Sequence, residues 1–108
     1  MIKAVYYREK HRLTLVGHAE SGEAGHDLVC ASASILAYTL AAFVSGMADS
    51  GQLRARCVKL TPGDARIGCR VDSAHDAAVT LAFDSICAGF GLLARDYPDF
   101  VKFEILSA

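Results

Sequence analysis

Apolar side chains recur, with gaps, at alternate positions through residues 2–8 and again through 12–18, and the polar Glu9-Lys10-His11 separates the two runs. This alternation predicts two strands of an antiparallel hairpin. From Ala19 to His26 neither a strand nor a helix period holds, and Gly22 and Gly25 fall inside the stretch, so a loop is expected there. Between Leu28 and Ala48 no charged residue occurs. Asp27 stands where an N-cap would and Gly51 shortly after the end, which predicts a first helix. Broken only by Ser32, Ser34, Thr39 and Ser45, its apolar surface needs cover from a sheet and from another helix or subunit.

The pattern then repeats. Residues 54–60 and 65–71 have strand character and are joined by Thr61-Pro62-Gly63-Asp64, where proline presets one turn angle and glycine accepts a positive one. Ser73 and Asp76 have capping-box spacing ahead of Val79, Phe83, Ile86, Phe90 and Leu93, so a second helix is expected to run to about Arg95. Tyr97-Pro98-Asp99 ends it, and Val101 to Leu106 alternates as a last strand. The order ββαββαβ, without linker or repeat, predicts one α+β domain over residues 1–108. Its sheet is mixed or antiparallel, with two helices packed on one face.

Composition narrows the function. With 53% apolar residues in 108, the interior is too small to hide them all, so some apolar surface is expected to meet a partner. Eleven basic against twelve acidic residues leave a net charge of -1 with no basic stripe, which argues against direct nucleic-acid binding. Ala, Ser, Thr and Gly dilute the uncharged run and it lacks basic and aromatic flanks, so no membrane span is expected. The first residues lack a secretory signal, which places the protein in the cytoplasm. Cys30, Cys57, Cys69 and Cys87 are widely and irregularly spaced with no CxxC, as expected of reduced thiols rather than a zinc ribbon or a disulfide framework. Cys57 and Cys69 fall on neighbouring strands, but a reducing compartment makes a disulfide between them unexpected. His18, His26 and Cys30 make a weak zinc signature without a fourth ligand, and neither metal nor cofactor is expected.

The chemistry concentrates between Gly17 and Ser34. If Asp27 caps the helix, Cys30 lies in its first turn, where unpaired N–H groups and the helix dipole favour a thiolate. The same N–H groups, near residues 28–30, could hold an oxyanion. A thiol nucleophile needs a base that later protonates a leaving amine, and His18 at a strand end suits this better than His26 just outside the cap. His11 and His75, in a turn and at a helix start, are expected as ordinary surface residues without a role, and Cys57, Cys69 and Cys87 as packing residues. Asp27, Asp84 and Asp96 are candidates, by residue type alone, for orienting His18.

Gly17-His18-Ala19, followed by Gly25, Asp27-Leu28-Val29-Cys30-Ala31 and Ser34, resembles the bacterial ribosomal-processing cysteine proteases called Prp, and the likeness extends over essentially the whole chain. The resemblance implies catalytic Cys30 and His18, supporting Asp27 and Ser34, and a substrate loop that includes Glu20, Ser21, Gly22 and Gly25. Many members carry an aromatic residue where this loop has Glu20, Ser21 and Gly22. It further implies a homodimer that removes a short N-terminal extension from the precursor of a large-subunit ribosomal protein, the twenty-seventh of the bacterial set. The competing expectations are a noncatalytic ribosome-assembly adaptor, in which Cys30 merely packs, and a thiol redox sensor.

Overall fold

A computed structural model describes the backbone of residues 1–18 and 24–107, and their side chains apart from those of residues 24–27. Strands β1 (Ile2–Tyr7) and β2 (Arg12–Val16) form the first hairpin, and β3 (Ala55–Thr61) and β4 (Asp64–Arg70) form the second. Helix α1 (Ala24–Asp49) lies between the hairpins, and α2 (Ser73–Asp96) precedes the final strand β5 (Val101–Leu106). The chain thus has the expected order and forms one five-stranded sheet, β3-β4-β2-β1-β5. It is mixed: β5 runs parallel to β1 and every other pairing is antiparallel.

The period-two pattern explains the layering. Ile2, Ala4 and Tyr6 of β1, Leu13 and Leu15 of β2, and Ile67 and Cys69 of β4 are buried on one face, while Lys3, Arg12, Arg66 and Arg70 are exposed. Helix α1 lays Val29, Ala33, Ala37, Leu40, Ala41, Val44 and Met47 into the core, and α2 adds Val79, Phe83, Cys87, Phe90 and Leu93. Both helices are long and apolar enough to cross a membrane by length and composition, yet each commits this stripe to the core. On α1 the cover is incomplete, because Leu28, Ile35 and Tyr38 remain exposed.

Three local expectations are corrected. The first helix begins at Ala24, not after Asp27. Nothing in Ala24-Gly25-His26 forbids helical dihedrals, since one glycine weakens a helix by only about 1 kcal/mol, so the backbone winds a turn further upstream than the cap signal predicts. In α2 the N-cap is Asp72 rather than Ser73, and the capping box is absent. The Asp72 carboxylate is taken by the Arg54 guanidinium instead. His11 is buried, not a surface turn residue. Its Nε2 lies 2.8 Å from Thr80 Oγ1, and its ring centroid is 5.9 Å from that of Phe83.

The register settles the thiol question. Cys57 pairs with Gly68 and Arg56 with Cys69, so Cys57 and Cys69 point to opposite faces of the sheet and both are free.

Candidate active site

β2 leads through Gly17 into His18 at one end of the sheet. Because β2 pairs with β4 in the register Val16↔Asp64, that end also carries the β3–β4 turn. The Gly17 N–H donates to the Gly63 carbonyl at 3.0 Å, and the backbone nitrogen of Met1 donates to the His18 carbonyl. Helix α1 passes the same end. Between these elements lies an open groove of about 340 Å³, and both His18 and Cys30 line it.

The walls follow from residue size and spacing. Cys30, Ser34 and Tyr38 are four residues apart and share one face of α1, with Ala33 and Ala37 between them also lining the groove. Short side chains at 33, 34 and 37 leave room beside the thiol. Leu60 to Ala65, the β3–β4 turn with its flanks, forms the facing wall. Cys30 is half-buried, and His18 is exposed, its ring making no hydrogen bond among the described residues.

Cys30 sits in the second turn of α1, not the first. Its own N–H and those of Leu28 and Val29 therefore lie inside the intrahelical ladder and cannot serve as free oxyanion donors. Within α1 the unbonded N–H groups belong to residues 24–26. The Cα–Cβ bond of a helical residue tilts toward the N-terminus, so the thiol leans toward that turn. Help from the dipole is smaller than a first-turn position would give, because the effect falls off within a turn.

The other thiols differ from Cys30 in surroundings. Burial pushes Cys87 up to about 12, with the nearby Asp84 charge adding to the effect, and burial also raises Cys69. Both stay protonated near neutrality and pack as hydrophobes. Cys57 is exposed on the edge strand β3, away from the groove.

Of the expected supporting residues, Ser34 lines the groove one turn after Cys30. Asp27 and Gly25 are in the first turn of α1 by backbone, and Glu20, Ser21 and Gly22 lie outside the described residues. Neither Asp84 nor Asp96 orients His18. Asp84 accepts from the Tyr6 hydroxyl at 2.7 Å and from the Arg8 guanidinium at 2.9 and 3.1 Å, and Asp96 pairs with Arg95. Among the described residues the carboxylate that lines the groove is Asp64, absent from the sequence expectations. A hydrogen bond from Lys59 at 2.7 Å, with Arg66 nearby, holds its carboxyl below the usual carboxylate range. The whole 60–65 wall was missed because periodicity marks it only as a turn. Its signal was topological: once β2 and β4 pair antiparallel, the end of one meets the start of the other.

A reduced thiol and an imidazole facing a shared groove at the end of an α+β sheet have the make-up of a cysteine peptidase. The family model described as Cysteine protease Prp matches residues 1–102, and the chain belongs to that family. SMU.848 from Streptococcus mutans has a similar structure, with 25% identity, a TM-score of 0.67 and coverage of 97% of this chain and 91% of its own. Two structures of the ribosomal processing protease Prp from S. aureus share the fold. The one with a covalently linked product peptide has 18% identity and a TM-score of 0.69, and the one with a substrate peptide 19% and 0.68; each comparison covers 97% of both chains. No curated protein matches the chain by sequence. Membership in a protease family removes the noncatalytic adaptor from consideration.

Proposed function

We propose that Cys30 is the nucleophile and His18 the general base of a peptidase that trims the N-terminal extension of a large-subunit ribosomal protein, the twenty-seventh of the bacterial set. The observation that carries the chemistry is the groove itself, whose walls bring the Cys30 thiol and the His18 imidazole together with small residues beside the thiol. The Cys30 thiolate attacks the scissile carbonyl carbon to give a tetrahedral adduct, and protonated His18 gives its proton to the departing amine. Water, deprotonated by His18, then cleaves the thioester and regenerates the thiol. Free N–H groups in the first turn of α1, at residues 24–26, are candidate backbone donors for the oxyanion.

The substrate is supported by what the S. aureus relatives are named for, ribosomal processing, and by their peptide complexes. Such a substrate implies a cytoplasmic protein. A pair of copies is supported by the uncovered stripe Leu28, Ile35 and Tyr38 on α1, and light scattering on the purified protein would test it: a monomer mass would remove the dimer.

Incubating the protein with a precursor bearing the extension, and following product mass, tests the whole reading. Cleavage is expected from the wild type under reducing conditions and none from Cys30→Ala. An intact precursor with the wild type would sink the substrate assignment, and cleavage by Cys30→Ala would sink the nucleophile.

A further inference from the structure

We infer that Gly63, at the tip of the β3–β4 turn, is a positioning residue for the His18 imidazole, so that this turn belongs to the catalytic apparatus. The inference rests on His18 acting as the base. An imidazole on a free χ2 torsion has a broad rotational range, and among the described residues no hydrogen bond fixes the His18 ring, so its packing bears on its orientation. His18 packs against Gly63. A Cβ at that position would overlap Nε2 and stand 2.9 Å from Cε1 and 3.2 Å from Cδ2, so a side chain there would push the ring aside.

The main chain is referenced to the same residue. The Gly17 N–H, one residue before His18, donates to the Gly63 carbonyl at 3.0 Å, and Val16 pairs with Asp64. Backbone and ring of the base are therefore both set against one glycine, and the missing side chain is the space that the ring occupies.

Gly63 also has φ +75°, so turn geometry alone would favour glycine. Gly51 supplies the matched control, because its φ is +76° and a Cβ there would meet nothing within 4 Å. Alanine at either site brings the same left-handed backbone strain, and only Gly63→Ala displaces the imidazole.

The experiment compares wild type, Gly63→Ala, Gly51→Ala and His18→Ala as full chains. For each, the rate of Cys30 alkylation by iodoacetamide is followed from pH 5 to 9 by mass of the Cys30 peptide, alongside the melting temperature and kcat for the precursor. Gly63→Ala and Gly51→Ala should melt at similarly lowered temperatures. Gly63→Ala alone should adopt the alkylation profile of His18→Ala, and its kcat should fall by roughly 10²-fold, the scale of an ångström-sized misplacement of a catalytic group. If His18→Ala differs from wild type while Gly63→Ala tracks Gly51→Ala, the positioning role is overturned and the base assignment stands. If His18→Ala matches wild type, the base assignment fails and takes the positioning role with it.

Discussion

Strand β2 carries a histidine just beyond each of its ends, and the two have opposite circumstances. His11 is 8% exposed, lies 2.8 Å from Thr80 Oγ1, and packs near Phe83. Around it Tyr6 and Arg8 donate to Asp84, and the His11 carbonyl accepts from the Cys69 N–H at 3.1 Å. His18, across the sheet, is exposed and faces an open groove with no hydrogen bond to its ring among the described residues. A buried polar network with its members paired rigidifies a fold, whereas an exposed imidazole that shares a groove with a thiol has the access that proton transfer needs. The same residue type is thus buried in a paired network at one end of a five-residue strand and exposed to an open groove at the other, where the proposed function gives it a chemical role.

The sharpest way to break this contrast is to truncate each histidine. His18→Ala should lower kcat by roughly 10²- to 10⁴-fold, the range for losing a general base, with stability within about 0.5 kcal/mol of wild type. His11→Ala should do the reverse, costing about 2 kcal/mol in chemical denaturation through a lost hydrogen bond and a cavity, with kcat unchanged. Equal loss of activity in both variants would erase the division between the two ends.

A smaller effect probes the His11 end alone. Tyr6→Phe and Asp84→Asn should each destabilise by roughly 1 kcal/mol, a figure discounted for the partial exposure of the Asp84–Arg8 pair. Arg8 is first among the causes that hold the Asp84 carboxyl below its ordinary range. This contribution is present above the unfolded carboxylate range and is lost as pH falls through the lower folded value. An acid titration of stability should therefore be shallower in Asp84→Asn than in wild type.

A separate effect appears at high pH. Burial raises Cys87 from 9.0 to about 12, and Tyr6 is raised in the same direction. The unfolded chain loses these protons first, so stability should fall as pH climbs from 9 toward 12, by up to about 1.4 kcal/mol per pH unit for each group that differs. The native Cys87 thiol should resist alkylation at neutral pH under conditions that label Cys30.

Element order and the packed face were legible from period alone, because strand residues such as Ile2, Ala4 and Tyr6 and helix residues such as Val79, Phe83 and Phe90 bury what their spacing says they should. The likeness around Gly17-His18-Ala19 and Cys30 gave the family. Boundaries were less legible: Asp27 has cap chemistry, yet nothing upstream forbids another helical turn, and Asp72 lost its capping function to Arg54. Partners distant in sequence were not legible at all. Local pattern cannot tell that His11 meets Thr80, or that Gly63 meets His18, because both contacts depend on which strands pair.

The β3–β4 wall also bears on when activity can arise during synthesis. His18 and Cys30 emerge early, but the groove is incomplete until residues 60–65 have been made and β4 has docked on β2. On the proposed assignment of Cys30 and His18, a nascent chain carrying both would still lack a wall of the groove, and proteolysis would begin only once the second hairpin has folded home.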